Sequence, residues 1–274
     1  MISRPYALIS GVLLLWGTPA HAQAIDFSAF VTFGDSISDN DFLAVGPDPH
    51  EMVFDNNASA SDALFNYAHK GDTTAELPAQ LVPYLMDVVD ARTPYATLIG
   101  LEIGANDLSN MIGPTASNPP GTNPTVDGAV DTIIANTAAA TEWLSYRHPD
   151  AVIVLWTLID MTYAPYYSSL LSETQLDNFR AHIERINTAI WLEDARHNVV
   201  VVDMFPIFPE LFAAPPTLRG TVVGAEDLFA NSSHPSALGN GFVANTAMAR
   251  LNDELGESLI LLSEDDLADL AGFP

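Results

Sequence analysis

Short apolar runs alternate with longer amphipathic stretches along most of the chain. Four of these runs, 29–33, 96–103, 151–158 and 198–204, contain few polar residues. Strands of a parallel sheet are covered on both faces, so they read as nearly continuous apolar segments. The four runs are therefore predicted to be buried parallel strands.

The stretches between the predicted strands repeat apolar residues every three or four positions, which is the spacing of one helical face. The stripes are Leu77, Leu81, Leu85 and Val88; Val130, Ile133, Ile134, Thr137 and Leu144; and Phe179, Ile183, Ile186 and Ile190. A long helix is predicted over about 236–255, and a short one from the capping sequence at Ser263 to Gly272. Segments 45–61 and 113–124 are predicted to be loops.

Strands that alternate with helices imply βαβ crossovers and a parallel sheet between helical layers. The predicted fold class is therefore α/β, a three-layer α/β/α sandwich with a mainly parallel central sheet. Since no linker divides the chain, 25–274 is expected to be a single domain.

Residues 1–24 have the form of a secretory signal peptide. Arg4 precedes an apolar run over 6–16, and residues 20–24 read Ala-His-Ala-Gln-Ala. The run is about half as long as a membrane-spanning helix. Cleavage after Ala22 or Ala24 is expected, with export to the periplasm or the medium and no stable membrane anchor. The alternative is a buried N-terminal helix.

The charge balance narrows the class of partner. The 35 Asp and Glu residues outnumber the 9 Lys and Arg residues, which gives a net charge of −26. Such a surface repels phosphate backbones and anionic headgroups, so neither nucleic-acid binding nor peripheral membrane docking is expected. Because the chain has no Cys, an exported form would contain no disulfides.

Gly34-Asp35-Ser36 follows the first predicted strand, at a point where the chain would turn into a helix. In an open α/β sheet, ligands bind beyond the carboxyl ends of the strands. A serine in this position has an exposed hydroxyl and an N–H group without an intrahelical partner. Turns of this composition are common, so the tripeptide alone does not establish a site.

Three further segments stand at comparable places. Asn-Tyr-Ala-His-Lys-Gly-Asp-Thr-Thr (66–74) precedes a helical stripe, Gly-Ala-Asn-Asp (104–107) follows a predicted strand, and Asn-Ser-Ser-His-Pro-Ser (231–236) precedes the last long helix. The ordered set, spanning 33 to about 241, resembles the sequence blocks of the SGNH/GDSL hydrolases, which include GDSL-like lipases and esterases. The resemblance implies their flavodoxin-like fold and a serine hydrolase.

The resemblance also implies a role for each matching residue. Ser36 would be the nucleophile and His234 the general base, because a serine hydroxyl needs an imidazole to accept its proton. The oxyanion hole would consist of the N–H groups of Ser36 and Gly71 and the side-chain amide of Asn106. Glycine suits this role because no Cβ obstructs the approach to its N–H. The adjacent acids Asp35, Asp72 and Asp107 are expected to hold turns.

The chain departs from the family's pattern at position 231. The last block normally reads Asp-x-x-His-Pro, whereas this chain has Asn231. Three alternatives are open: Asn231 or a backbone carbonyl orients His234, a nearby acid such as Asp227 or Glu226 does so, or catalysis is impaired. An Asn carbonyl can set the imidazole tautomer, but it stabilises the imidazolium less than a carboxylate does.

The implied activity is that of an exported esterase or lipase-like hydrolase acting on short or medium acyl esters through an acyl-enzyme, without a cofactor or a metal. A carbohydrate acetylesterase or acyltransferase of the same family is one alternative, and a non-catalytic glycan- or lipid-binding protein is another. The expected partners are small-molecule, lipid or glycan esters, and the protein is expected to be a monomer. Tyr163, Tyr166 and Tyr167 could line an acyl or sugar site, although packing is the more common role.

Overall fold

A five-stranded parallel sheet forms the centre of the computed structural model, which describes residues 25–39 and 46–274. Its spatial order is β2-β1-β3-β4-β5. The strands are β1 (Phe30–Gly34), β2 (Leu64–Asn66), β3 (Leu98–Glu102), β4 (Val152–Trp156) and β5 (Val199–Val202). All neighbouring pairs run parallel, which confirms the predicted fold class. The predicted leader, 1–24, lies outside the described residues.

The four predicted strands are confirmed as β1, β3, β4 and β5, and every residue in them is buried. Sequence periodicity missed β2, because a half-buried edge strand of three residues is too short to show a period. In the register of β1 and β3, Gly34 lies opposite Glu102. The carboxyl ends of these two strands therefore meet at the same edge of the sheet.

Helices and a short hairpin complete the described fold. They are α1 (Pro49–Asn57), α2 (Leu77–Val89), α3 (Ala105–Asn110), α4 (Ile112–Ser117), α5 (Pro124–Arg147), α6 (Pro165–Leu170), α7 (Glu173–Trp191), α8 (Ile207–Ala213), β6 (Thr217–Leu218), β7 (Thr221–Val222), α9 (Ala225–Leu228), α10 (Ala237–Leu255) and α11 (Glu264–Ala271). One packed group contains α1, α10 and α11, and another contains α4, α5 and α7. No helix of the described residues is long and apolar enough to cross a membrane.

The two predicted loops were partly wrong. Segment 45–61 contains α1, which begins where the Asp48 carboxylate accepts the N–H groups of His50 and Glu51 and where Pro49 occupies the first helical position. Segment 113–124 overlaps α4, whose Pro114 lies in the first turn, where its missing N–H costs no hydrogen bond. Capping residues and tertiary packing therefore stabilise α1 and α4, although neither helix shows the apolar periodicity on which the prediction relied.

Both C-terminal helices are confirmed. α10 matches its predicted span to within one residue at its start. α11 begins with a capping box, in which the Ser263 hydroxyl accepts the Asp266 N–H and the Asp266 carboxylate accepts the Ser263 N–H. It ends at Gly272, whose φ of 69° is the left-handed conformation typical of a helix C-terminus.

Candidate active site

Ser36 lies in a tight turn at the carboxyl end of β1. The Asp35 carboxylate accepts the Ile37 N–H at 3.1 Å, and the Asp35 carbonyl accepts the Ser38 N–H at 3.1 Å. Gly34 has a φ of 150°, and a Cβ there would lie 2.2 Å from the Glu102 carbonyl oxygen. Only glycine allows β1 and β3 to approach this closely just before the serine.

His234 reaches Ser36 from the segment that precedes α10. The distance between Ser36 Oγ and His234 Nε2 is 2.8 Å, although the two residues are 198 positions apart in the chain. The loop closes on itself because Ala230 donates its N–H to the His234 carbonyl at 3.0 Å. The structure thus brings together the two residues that the sequence singles out as nucleophile and base.

Asn231 faces the other ring nitrogen of His234. Its Oδ1 accepts the backbone N–H groups of Ser233 and His234, each at 2.9 Å, and lies 3.1 Å from His234 Nδ1. Two N–H donors identify this atom as the amide oxygen, which fixes the orientation of the side chain. The Ser233 hydroxyl lies at the same distance from Nδ1, 3.1 Å. When Nδ1 donates its proton to Asn231, Nε2 presents its lone pair to the Ser36 hydroxyl.

The surroundings of His234 favour its neutral form. Burial, and then the positive charge of Lys70, lower the pKa of His234 below its usual value. The Asp227 carboxylate accepts the Gly224 N–H at 2.7 Å and so caps the start of α9. Two of the side chains considered for orienting the imidazole are thereby distinguished. Asn231 contacts Nδ1 of His234, whereas the Asp227 carboxylate is hydrogen-bonded to the start of α9.

Gly71 and Asn106 lie on two segments that meet beside the turn of Ser36, residues 34–38, which we call the nucleophile turn after the role predicted for Ser36. His69 donates its N–H to the Gly34 carbonyl at 3.1 Å, which ties the segment containing Gly71 to the end of β1. Asn106 donates a side-chain N–H to the Asp72 carbonyl at 2.9 Å, and the amide has a second N–H to offer. A Cβ at position 71 would meet no other atom within 4 Å, so steric access does not require glycine there. The φ of 88° does, because side chains other than glycine rarely adopt this left-handed conformation.

Gln80 is a residue of this site that the sequence analysis missed. It is buried on α2, accepts the Gly34 N–H at 2.9 Å and donates to the Gly34 carbonyl at 2.7 Å. The same amide nitrogen donates to the Asp72 carboxylate at 2.9 Å. The sequence feature that could have identified Gln80 is its position on the same helical face as Leu77 and Leu81. A buried amide without hydrogen-bond partners would be costly there, so partners were to be expected.

The acids next to the motif residues differ in what they hold. Asp35 makes the turn bond expected of it. The Asp107 carboxylate instead accepts the N–H and the hydroxyl of Thr74, 33 positions earlier, each at 2.9 Å, and so joins two separate segments. Among the described residues, no group of three His, Asp and Glu side chains is arranged to hold a metal ion.

A small cleft of about 70 Å³ opens at Ser36. Its lining includes Asn106, Met161, Tyr167 and His234. The Tyr167 ring stacks on Phe179, and its hydroxyl is hydrogen-bonded to Ser109. Tyr167 thus both packs in the core and borders the cleft.

A second, wider groove of about 470 Å³ borders the loop that contains His234. Its lining includes Tyr163, Phe212, Glu226, Phe229 and Asn231. The Tyr163 and Phe212 rings meet edge to face at 5.1 Å. Asn231 therefore borders this aromatic groove as well as contacting the imidazole of His234.

Comparison with known proteins gives one family and one fold. The sequence model of the GDSL-like Lipase/Acylhydrolase family matches residues 32–241. An extracellular lipase from Streptomyces rimosus shares 19% identity at a TM-score of 0.53, over 83% of this chain and 99% of that one. An acetylxylan esterase from Geobacillus stearothermophilus shares 16% identity at a TM-score of 0.54, over 85% and 96%. No curated protein sequence matched. At these identities the solved structures show a common fold.

Proposed function

Because the chain belongs to the GDSL-like lipase/acylhydrolase family, we propose that it is a serine hydrolase that cleaves carboxylic esters through an acyl-enzyme. The observation that carries this proposal is the 2.8 Å contact between Ser36 Oγ and His234 Nε2. With Asn231 accepting from Nδ1, the unprotonated nitrogen faces the hydroxyl that must lose a proton.

In the proposed reaction, Ser36 Oγ bonds to the ester carbonyl carbon while its proton passes to His234 Nε2. The N–H groups of Ser36 and Gly71 and the second N–H of Asn106 stabilise the oxyanion. His234 then protonates the departing alcohol as the carbon–oxygen bond breaks. A water molecule activated by His234 hydrolyses the acyl-enzyme, and the proton returns to Ser36.

Short acyl groups are the proposed substrates, because the cleft at Ser36 has a volume of only about 70 Å³. Acetylated carbohydrates are a second candidate class. The aromatic groove beside the His234 loop supports it, since aromatic rings suit the apolar faces of sugars, and one structural neighbour is an acetylxylan esterase. The form of residues 1–24 supports export, and we propose that the enzyme acts as a monomer outside the cytoplasm.

Hydrolysis of chromogenic acetyl, butyryl and octanoyl esters tests the proposal. The wild type should prefer the shortest chain, and a serine-directed fluorophosphonate should label it once. Ser36→Ala should abolish hydrolysis and labelling while the protein stays folded, whereas the exposed Ser59→Ala should behave as wild type. Retained activity in Ser36→Ala would exclude it as the nucleophile. Release of acetate from acetylated xylan, measured beside these esters, tests the carbohydrate alternative.

A further inference from the structure

Two carboxyl groups lie buried beneath the nucleophile turn. Asp35 and Glu102 are each 1% exposed. Asp35 follows Gly34, which is the register partner of Glu102, so the two side chains extend from the ends of adjacent strands. Asp35 Oδ2 and both Glu102 oxygens are buried with no other group as a hydrogen-bond partner, and each carboxyl shifts the pKa of the other through a hydrogen bond between them. The reaction proposed above uses neither group directly.

A hydrogen bond between two carboxyl groups requires a proton on one of them, because ionised carboxylates only accept. If both were ionised, Asp35 Oδ2 and both Glu102 oxygens would be buried without a donor. A proton on Glu102 lets it donate to Asp35. Two negative charges in contact in a buried site would also be far more costly than one.

The electrostatic surroundings place that proton on Glu102. Burial, followed by the charge of Asp35 and the hydrogen bond to it, raises the pKa of Glu102 well above its usual value. Burial also raises the pKa of Asp35 to about 7, against the hydrogen bonds from Ile37 and Glu102, which lower it. The negative charges of Asp107 on α3 and of Asp72 before α2 act on Asp35 in the same direction as burial.

The Asp35 side chain links this pair to the nucleophile. Its Oδ1 accepts the Ile37 N–H at 3.1 Å, so Ser36 lies between the residue that accepts and the residue that donates. A rotation of the Asp35 carboxyl would break that bond, which spans Ser36 and closes the turn. Glu102 is the group that fixes the other side of the carboxyl.

We propose that Glu102 is a positioning residue whose protonated carboxyl donates a hydrogen bond to Asp35 and thereby holds the turn that presents Ser36 to the ester. The proposal rests on the proposed ester hydrolysis. Loss of the Glu102 proton at high pH would remove the donor and bring two charges together. The turn should therefore be well ordered while Glu102 is protonated, and turnover should fall as the pH rises through the pKa of Glu102.

Two substitutions of similar shape separate donation from packing. Glu102→Gln keeps a neutral donor at this position, whereas Glu102→Met fills similar space without one. Both variants and the wild type are compared on the same acetyl ester, with kcat and KM measured from about pH 6 to about pH 10. Thermal melting over the same range reports folding, and the rate of fluorophosphonate labelling reports the reactivity of Ser36.

Glu102→Gln should keep kcat within about threefold of wild type near neutral pH. It leaves the titration of Asp35, whose pKa is about 7, in place, so the expected loss is of the further fall in kcat and melting temperature at higher pH, where Glu102 ionises in the wild type. Glu102→Met should lower kcat and the labelling rate by about tenfold or more, with KM changed by less than about twofold. Equal kcat in Glu102→Met and wild type, or an equal loss in both variants, would overturn the proposal.

The two proposals fail in different ways. If the folded wild type neither hydrolyses esters nor reacts with the fluorophosphonate, the proposed function is wrong. The carboxyl pair is then judged by melting alone: an alkaline loss of stability that disappears in Glu102→Gln supports the protonated carboxyl, and identical pH profiles refute it. If the wild type is active and the two variants match it at every pH, only the positioning role is wrong.

Discussion

Ser36 and His234 form one contact, yet they are held by different kinds of structure. The nucleophile turn lies at the end of two fully buried strands and is tied to α2 through Gln80. The loop carrying His234 is partly exposed, and most of its bonds run within 230–234, centred on Asn231 Oδ1. The first region depends on the packing of the sheet, and the second depends on a local turn.

This difference predicts that substitutions in the two regions should fail differently. Damage to the nucleophile turn should lower the free energy of unfolding, because buried polar groups there would lose their partners. Damage to the His234 loop should leave the fold intact, because its groups can hydrogen-bond to water instead. It should change the rate and its pH dependence.

The largest expected effect is that of His234→Ala. Turnover of a short-chain ester should fall on the order of 10⁴-fold or more, because the Ser36 proton would have no acceptor. The melting temperature should change little, since the loop is held through Asn231. The exposed His197→Ala, at the opposite end of the sheet before β5, is the control and should match wild type. A loss of activity explained by unfolding would contradict the contrast between the two regions.

Asn106→Ala should lower kcat by about 10²-fold with a small change in KM, because an oxyanion donor acts on charge that develops in the transition state. Steady-state kinetics on the same ester separates the two constants. Asn110→Ala, which alters a neighbouring groove on α3, is the matched control and should leave kcat near wild type. A change confined to KM would make Asn106 a substrate-binding residue.

Gln80→Leu tests the stability of the nucleophile turn. The N–H and carbonyl of Gly34 would lose their partner in a buried position, so the free energy of unfolding should fall by about 2 to 4 kcal/mol. Asn231→Ala, in the exposed loop, should cost less than about 1 kcal/mol. Urea denaturation of both variants measures the difference. Equal losses would show that the two regions are held alike.

Asn231→Asp should have the smallest effect, a rise in kcat near neutral pH of about tenfold or less, because a carboxylate stabilises the imidazolium better than an amide. In the wild type, the lowered pKa of His234 keeps the base neutral, so kcat/KM should persist below the pH where a free histidine is protonated. The added carboxylate raises the pKa of His234 and shifts the acidic limb of the profile to higher pH.

Asp227→Ala is the companion variant for that measurement. It removes the carboxylate that caps α9 and should leave the acidic limb where the wild type has it. If Asp227→Ala instead disabled the enzyme and Asn231→Asp changed nothing, Asp227 would be the residue that orients His234. If neither variant altered the profile, position 231 would serve only as a turn residue.

Four of the strands and the order of the site residues could be predicted from the sequence. A strand that is covered on both faces of the sheet must consist of apolar residues. For this reason β1, β3, β4 and β5 can be recognised in the sequence as nearly continuous apolar runs. The segments around Ser36, Asn106 and His234 could be found because turns at strand ends and helix starts need particular polar residues. α1 and β2 were missed because an N-cap and a three-residue edge strand leave almost no periodic signal.

Glu102 and Gln80 mark the limit of what could be inferred. The sequence shows an acid at the end of an apolar strand and an amide within an apolar helical stripe, but it does not show their partners. Gln80 meets Gly34, 46 positions earlier, and Glu102 meets Asp35 through the register of β1 with β3. Those contacts exist only once distant segments have packed together.

By itself, the sequence determined an α/β chain with a serine, a glycine, an asparagine and a histidine at the places where its elements begin and end. The tertiary structure decided that Ser36 and His234 lie 2.8 Å apart, that Asn231 Oδ1 lies 3.1 Å from the imidazole Nδ1, and that two carboxyls share a buried site beneath the turn of Ser36. The physical reason is that local propensity and periodicity act over a few residues. Hydrogen-bond geometry and desolvation are set by groups that meet only in the folded chain.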